Sequence, residues 1–276
     1  MIGDKILKKT LITGAGGMVG SYMDFGMRFN SKQLDVTNWK QVSNMVKKYR
    51  PKTIVHMAAL TDLAECERDP AKAYLINGAG TYYMALAARN VGARFIYIST
   101  NSVFDGSKSD LLQVAGTPDP KSVYGHSKFL GELAVKSMLK DYAILRTCWI
   151  FGGGRVKDKK FVGHIMRKIH SGETRIQASS DNIGSPTYAK DLVLALRQFI
   201  MNKRVGTFHV VNSGACSRAE EAREIVGIVK AKIRIVPVPA KKFGLSSDRL
   251  HEALKPQPNM LRPWQKALQD YLISEW

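Results

Sequence analysis

Apolar positions in this chain follow two rhythms, and the first half alternates between them. Short unbroken apolar runs, "TLITG" (Thr10–Gly14), "TIVHMAA" (Thr53–Ala59), "RFIYIST" (Arg94–Thr100) and "YAILRTCWIFG" (Tyr142–Gly152), predict strands buried on both faces. Between them, "WKQVSNMVKKY" (Trp39–Tyr49), "AYLINGAGTYYMALAARNVG" (Ala73–Gly92) and "YGHSKFLGELAVKSML" (Tyr124–Leu139) have the spacing of amphipathic helices. Strands without polar alternation, separated by helices, predict a parallel sheet covered on both faces. That is a doubly wound, Rossmann-like α/β fold. Between Gly20 and Leu34 there is room only for a short helix and a short second strand.

The rhythm changes after Gly152. A Gly-rich basic stretch, "GGGRVKDKK", precedes a helix over Phe161–His170 and the turn "DNIGSPT" (Asp181–Thr187). A helix at Asp191–Met201 and a strand at "GTFHVVNSG" (Gly206–Gly214) follow, then another helix, the Pro-punctuated "IVPVPA" and a last helix over "RPWQKALQDYL". The pattern predicts a dinucleotide-binding domain over residues 1–151 and a smaller α/β substrate-binding region over 152–276, with 187–213 packing back on the first sheet.

Composition narrows this little. No apolar run approaches the roughly 20 residues of a membrane span, and the start of the chain does not read as a secretory signal. Three distant cysteines, Cys66, Cys148 and Cys216, with no CxxC pair, suggest neither a disulfide framework nor zinc, so no metal is expected and a reducing cytoplasm fits. The net charge of +19 changes the picture more. It fits either an anionic partner or a solvated basic surface, and the spread of lysines without long runs favours the second. Nucleic acid and membrane are therefore not expected as partners.

Candidate chemistry begins at "TLITGAGGMVGSY", where Gly14, Gly17 and Gly20 form GxxGxxG directly after the first strand. Such glycines permit a tight turn and close approach of backbone to a pyrophosphate, which a following helix start would face with free N–H groups. Met18 and Val19 lie within this loop. No acid stands at the expected end of the second strand, whereas Arg28 and Lys32 could pair with a 2′-phosphate, which favours NADP(H) and leaves NAD(H) open. Asp35, beside Val36 in "LDVT", is placed near the adenine.

In "VYGHSKFLGELA", Tyr124 and Lys128 are four residues apart and share a helix face. An ammonium beside a phenol favours the phenolate, making Tyr124 a candidate proton donor tuned by Lys128. Upstream, "RFIYIST" ends in Thr100, at the carboxyl edge where doubly wound sheets bind ligands, so its hydroxyl could hold the same reacting oxygen. Together with a nicotinamide these three form an intelligible hydride-transfer site.

GxxGxxG, a strand-terminal Thr and YxxxK resemble the extended short-chain dehydrogenase/reductases. "LDVT", "PKTIVHMAALTDLAECE", "INGAGT", "GARFIYISTNSVFDG", "SVYGHSKFLGE", "LRTCWIFG", "DNIGSPTYAKDL" and "GTFHVVNSGACS" are similar, in order and spacing, to dTDP-4-dehydrorhamnose reductases over about Thr10 to Leu272. The resemblance implies NAD(P)H-dependent reduction of a 4-keto-6-deoxy nucleotide sugar, with Thr100, Tyr124 and Lys128 as catalytic residues. It also implies Ala58, Ala59 and Thr61 along the cofactor, and Trp149 and the "GSPT" turn, with Ser185, near the sugar nucleotide. Asn101, Ser102 and Val103 are further candidate substrate contacts. Asn77 either faces the cofactor or packs its helix, Trp149 is either sugar platform or core, and Arg155, Lys157, Lys159 and Lys160 either hold a diphosphate or are solvated. His56 and His126 have no metal-ligand partner at suitable spacing and are read as structural.

The chain departs from the family pattern where Asn101 and Ser102 replace an acid and a tyrosine, at Ala64, and at Lys241-Lys242-Phe243. Without an acid and a base after Thr100, dehydration is disfavoured. A 4-epimerase using the same three residues, and a cofactor-binding regulatory subunit like that of methionine adenosyltransferase, stay open. A monomer or homodimer is expected.

Overall fold

The computed structural model describes residues 2–107, 110–244 and 250–276. Its strands are β1 (Thr10–Thr13), β2 (Met27–Phe29), β3 (Thr53–His56), β4 (Arg94–Thr100), β5 (Tyr142–Thr147), β6 (Ile150–Phe151), β7 (Arg175–Ser179), β8 (Ile183–Gly184), β9 (Thr187–Tyr188), β10 (Gly206–His209), β11 (Cys216–Ser217) and β12 (Arg234–Val238). The helices are α1 (Ile2–Lys8), α2 (Trp39–Tyr49), α3 (Leu63–Arg68), α4 (Pro70–Ala73), α5 (Gly80–Val91), α6 (Val123–Met138), α7 (Gly154–Lys157), α8 (Phe161–His170), α9 (Ala189–Asn202), α10 (Arg218–Ile228) and α11 (Trp264–Glu275). No helix among the described residues is long and apolar enough to cross a membrane.

Two compact units divide the chain. The first comprises Met1–Val103, Pro118–Arg146 and Val193–Phe208. Its six-stranded sheet has the order β10-β5-β4-β3-β1-β2, and the β2-β1, β1-β3 and β3-β4 pairings are parallel. The unbroken apolar runs become strands with every residue of β1, β3 and β4 buried. One core layer joins Leu11, Ile54, Phe95 and Ile144 of the sheet to Val42 and Val46 of α2, Met84 and Ala88 of α5 and Val135 of α6.

Three elements differ from the sequence reading. The glycine loop opens a single 3₁₀ turn, Val19–Tyr22, not a regular helix, so little macrodipole stands behind the loop. The run Ala73–Gly92 is interrupted by a π turn, Tyr74–Ala79, ahead of α5. The strand expected over Tyr142–Gly152 breaks into β5 and β6 at Cys148-Trp149, where Trp149 has φ +42°. The helix α1 has no counterpart in the sequence reading.

The second unit comprises Phe104–Thr117, Thr147–Leu192 and His209–Trp276. It is built from short pairs: β7 with β12, parallel; β8 with β11, antiparallel; β6 with β9, parallel. The "IVPVPA" stretch supplies most of β12, whose one proline, Pro237, falls in a two-stranded sheet with few ladder bonds to lose. Phe151 and Tyr188 stack at 5.4 Å, and Tyr271 of α11 lies tilted against both at 5.5 and 5.4 Å.

Candidate functional site

The first unit assembles its polar residues where strands end. Gly14 adopts φ +74°, and a methyl group there would lie 2.7 Å from the Ala58 nitrogen, so the turn after β1 closes on the chain leaving β3 only because this residue lacks Cβ. Gly17 N–H returns to the Gly14 carbonyl, and Ala15 N–H reaches Phe29 O at the end of β2. Gly16 and Gly17 are exposed and Met18 and Val19 half-buried, so the loop has an open outer side. Arg28 and Lys32 are exposed on β2 and the turn after it. Asp35 is exposed and accepts from Thr37 N–H and hydroxyl, while Val36 is buried against Gly80.

Below this loop runs a chain of buried hydrogen bonds whose proton directions can be assigned. Thr81 Oγ1 donates to the Asn77 carbonyl (2.6 Å), so it accepts from His56 Nε2 (3.1 Å). His56 Nδ1 is then the acceptor of the Thr13 hydroxyl (2.8 Å), which itself takes the N–H groups of Met57 and Ala58. Burial, reinforced by the charge of Lys128, lowers His56 to about 3, so the ring is neutral. Asn77, fully buried in the π turn, clamps Leu60 through both backbone groups and donates to Ser127 Oγ (2.9 Å), which donates to Tyr124 O. The loop carrying Ala58, Ala59 and Thr61 is thereby tied to the first turn of α6. Sequence reasoning treated His56 as structural and did not find its partners Thr13 and Thr81, or Ser127.

The helix α6 starts where Ser122 caps Gly125 N–H (3.1 Å) and Glu67 accepts from Val123 N–H. A methyl group on Gly125 would sit 2.1 Å from the Ser102 carbonyl oxygen, so this turn lies directly on the 3₁₀ turn Asn101–Val103 that follows β4. The structure thus brings Tyr124, half-buried in that first turn, beside the residues after Thr100. Thr100 is buried; its hydroxyl donates to Asn101 Oδ1 (3.2 Å) and accepts from Ser102 N–H (3.1 Å). Val103 is fully buried.

One turn along α6, Lys128 is 2% exposed; its Nζ donates to Ile98 O (2.7 Å) and lies 4.1 Å from the centre of the Tyr97 ring. Burial lowers its pKa to about 7, against a smaller opposing effect of the Glu132 charge. Glu132, the next residue on this face, was not singled out from sequence. It receives both Arg146 Nε (2.8 Å) and Nη2 (2.7 Å), and Ser99 Oγ (2.7 Å). Burial pushes its carboxyl upward, but Arg146 and Ser99 outweigh that and hold it below the usual range. The signal was available: Tyr124, Lys128 and Glu132 recur every four residues, and Arg146 lies on a buried strand.

In the second unit, Trp149 is half-buried. Its Nε1 donates to Glu252 Oε2 (3.0 Å), and the Arg218 guanidinium stacks 3.4 Å over its ring and 4.6 Å from Phe161. Ser185 is fully buried and exchanges hydrogen bonds with Leu254 O and N. Arg218 and Glu252 carried no sequence signal. Among the described residues no cluster of His, Cys, Asp or Glu could hold a metal ion, and Cys66, Cys148 and Cys216 are buried and form no disulfide.

Comparison with known proteins places these features in context. The family described as the RmlD substrate binding domain matches residues 8–274. The spore coat polysaccharide biosynthesis protein SpsK of Bacillus subtilis is 34% identical, over 96% of this chain and 97% of its own. A dTDP-4-dehydrorhamnose reductase of Mycolicibacterium smegmatis is also 34% identical, over 98% of this chain and 87% of its own. The crystal structure of dTDP-4-dehydrorhamnose reductase from Bacillus anthracis in complex with NADP superposes with a TM-score of 0.89, at 33% identity, covering 96% of this chain and 98% of that one.

Proposed function

Because the chain belongs to the family of the RmlD substrate binding domain, we propose that it is an NADPH-dependent reductase of a 4-keto-6-deoxy nucleotide sugar, of the dTDP-4-dehydrorhamnose reductase type. The observation that supports the reading is the close approach of the first turns of α6 to the carboxyl end of β4, where Gly125 lies on the Ser102 carbonyl and buried Lys128 donates to Ile98 O.

The glycine loop suits a dinucleotide: at Gly14 a side chain would strike the Ala58 backbone, and Gly16 and Gly17 leave the outer side of the turn open. Gly14, Gly17, Met18, Val19 and Gly20 take the pyrophosphate, Asp35 and Val36 flank the adenine, and Arg28 and Lys32 pair with the 2′-phosphate. Ala58, Ala59 and Thr61 lie along the cofactor. Asn77 acts behind them, holding Leu60 in place. Bound NADPH supplies hydride to the ketone carbon. Tyr124 then gives its phenolic proton to the former carbonyl oxygen, which the Thr100 hydroxyl holds once it turns from Asn101. Lys128, when protonated, stabilises the phenolate that remains and reaches the ribose hydroxyls. Asn101 and Ser102 bound the sugar, with Val103 buried behind them, and the reaction belongs in the cytoplasm.

The test follows nicotinamide absorbance while NADPH is mixed with freshly made dTDP-4-keto-6-deoxy sugar, for wild type and Tyr124→Phe. Turnover by the first and not the second supports the reductase. Tight NADPH binding without turnover by wild type sinks it in favour of a regulatory subunit, and interconversion of 4-epimers with NAD(H) retained would make the protein an epimerase.

A further inference from the structure

The charge of +19 looks dispersed in sequence, but the fold sorts it. In a doubly wound sheet every helix returns the chain to the amino edge, opposite the edge where Thr100 and the glycine loop lie. Each of the five helix-to-strand turns of the first unit carries exposed cations: Lys8 and Lys9 before β1; Lys47, Lys48, Arg50 and Lys52 before β3; Arg89 before β4; Lys140 before β5; Lys203 and Arg204 before β10.

These turns are neighbours in space. Lys52 N–H bonds Lys9 O, Arg94 N–H bonds Lys52 O, Phe95 N–H bonds Asp141 O, and the Arg94 guanidinium reaches Asp141 and Arg204 O. Across four strand spacings the row extends about 19 Å, and the helix ends widen it on both faces. Asp141, the carboxylate described in these turns, is occupied by Arg94. By contrast, residues 57–72 at the opposite edge hold Asp62, Glu65, Glu67 and Asp69 against Arg68 and Lys72.

Cations at helix C-termini complement the dipole, which accounts for one or two per helix; four around the end of α2 exceed that. Tyr49, Met201 and Val205 stand exposed among them, Val205 at 55%. Helix C-termini present carbonyls, not the N–H groups that grip single phosphates. Dispersed cations with interspersed apolar side chains suit a planar anionic surface.

We propose that the amino edge of the first unit docks on anionic lipid bilayers, leaving the opposite edge facing away from the membrane. The probe is vesicles of phosphatidylcholine with or without phosphatidylserine, sedimented with the full chain at low and high salt. Binding should require phosphatidylserine and weaken with salt. Lys47→Gln/Lys48→Gln/Lys52→Gln should weaken it about 100-fold, each lost cation near the surface costing about fivefold. Lys40→Gln/Lys121→Gln, exposed at helix starts on the opposite edge of the same unit, should leave it within twofold, and both variants should melt as wild type does. No sedimentation with anionic vesicles, or equal losses in both variants, would overturn the proposal. So would tighter binding to RNA or duplex DNA than to vesicles, abolished by the same triple variant.

Discussion

Replacing Lys128 by methionine should stabilise the protein without cofactor while abolishing turnover. Burial lowers the folded-state pKa of Lys128 to about 7, against about 10.4 in an unfolded chain. With the folded value depressed, the lysine favours folding only as a neutral amine. Its penalty grows as pH falls from about 10 to about 7 and is constant below. At pH 7 linkage puts that penalty at about 4 kcal/mol. The bond from Nζ to Ile98 O and the contact with the Tyr97 ring return about 1–2 kcal/mol, leaving about 2–3 kcal/mol. Methionine has a similar length and flexibility and no charge to bury. At about 2–4 °C per kcal/mol for a chain approaching this size, the variant should melt roughly 5–10 °C higher. The assay is thermal unfolding of the cofactor-free protein from pH 6 to 9, both proteins side by side. The gap should nearly close between pH 7 and pH 9, falling to about 0–1 kcal/mol as the penalty drops to about 2 kcal/mol. A variant melting below wild type at pH 7, or a gap indifferent to pH, would refute the reasoning.

Tyr124→Phe should cut kcat by 100-fold or more while NADPH affinity, measured by fluorescence titration, changes less than threefold. Glu132→Gln leaves Arg146 with a neutral partner in a buried site and should cost about 3–5 kcal/mol in urea unfolding. His56 titrates near 3 folded and near 6.5 unfolded, so the stability from its neutral form is present above pH 6.5 and is lost as pH falls towards 3. His56→Gln should flatten that part of the acid-stability curve. Gly125→Val forces a side chain into the Ser102 carbonyl; it should lower kcat at least tenfold through a displaced Tyr124, visible as kcat falling more than KM rises.

What could be read from sequence and what could not divide along physical lines. Tyr124 and Lys128 were legible because a helix puts residues four apart on one face, whatever surrounds it. Buried β1, β3 and β4 were legible because apolar runs have few other destinations. Trp149 was not: an apolar run says nothing about the left-handed backbone at one of its residues, which falls where β5 has ended and β6 begins. Nor were the partners of His56, since Thr13 and Thr81 lie 43 and 25 residues away and meet it only through strand order. The same holds for the Glu132–Arg146 pair, and most of all for charge. Lysines read as dispersed are dispersed only in sequence. A fold that sends every strand's end to one edge sends every helix's end to the other, so the topology that gathers Thr100 and the glycine loop also gathers Lys9, Lys52 and Arg204 on the opposite side. One connectivity rule thus sets this row of cations apart from Thr100 and the glycine loop, and both follow from strand order.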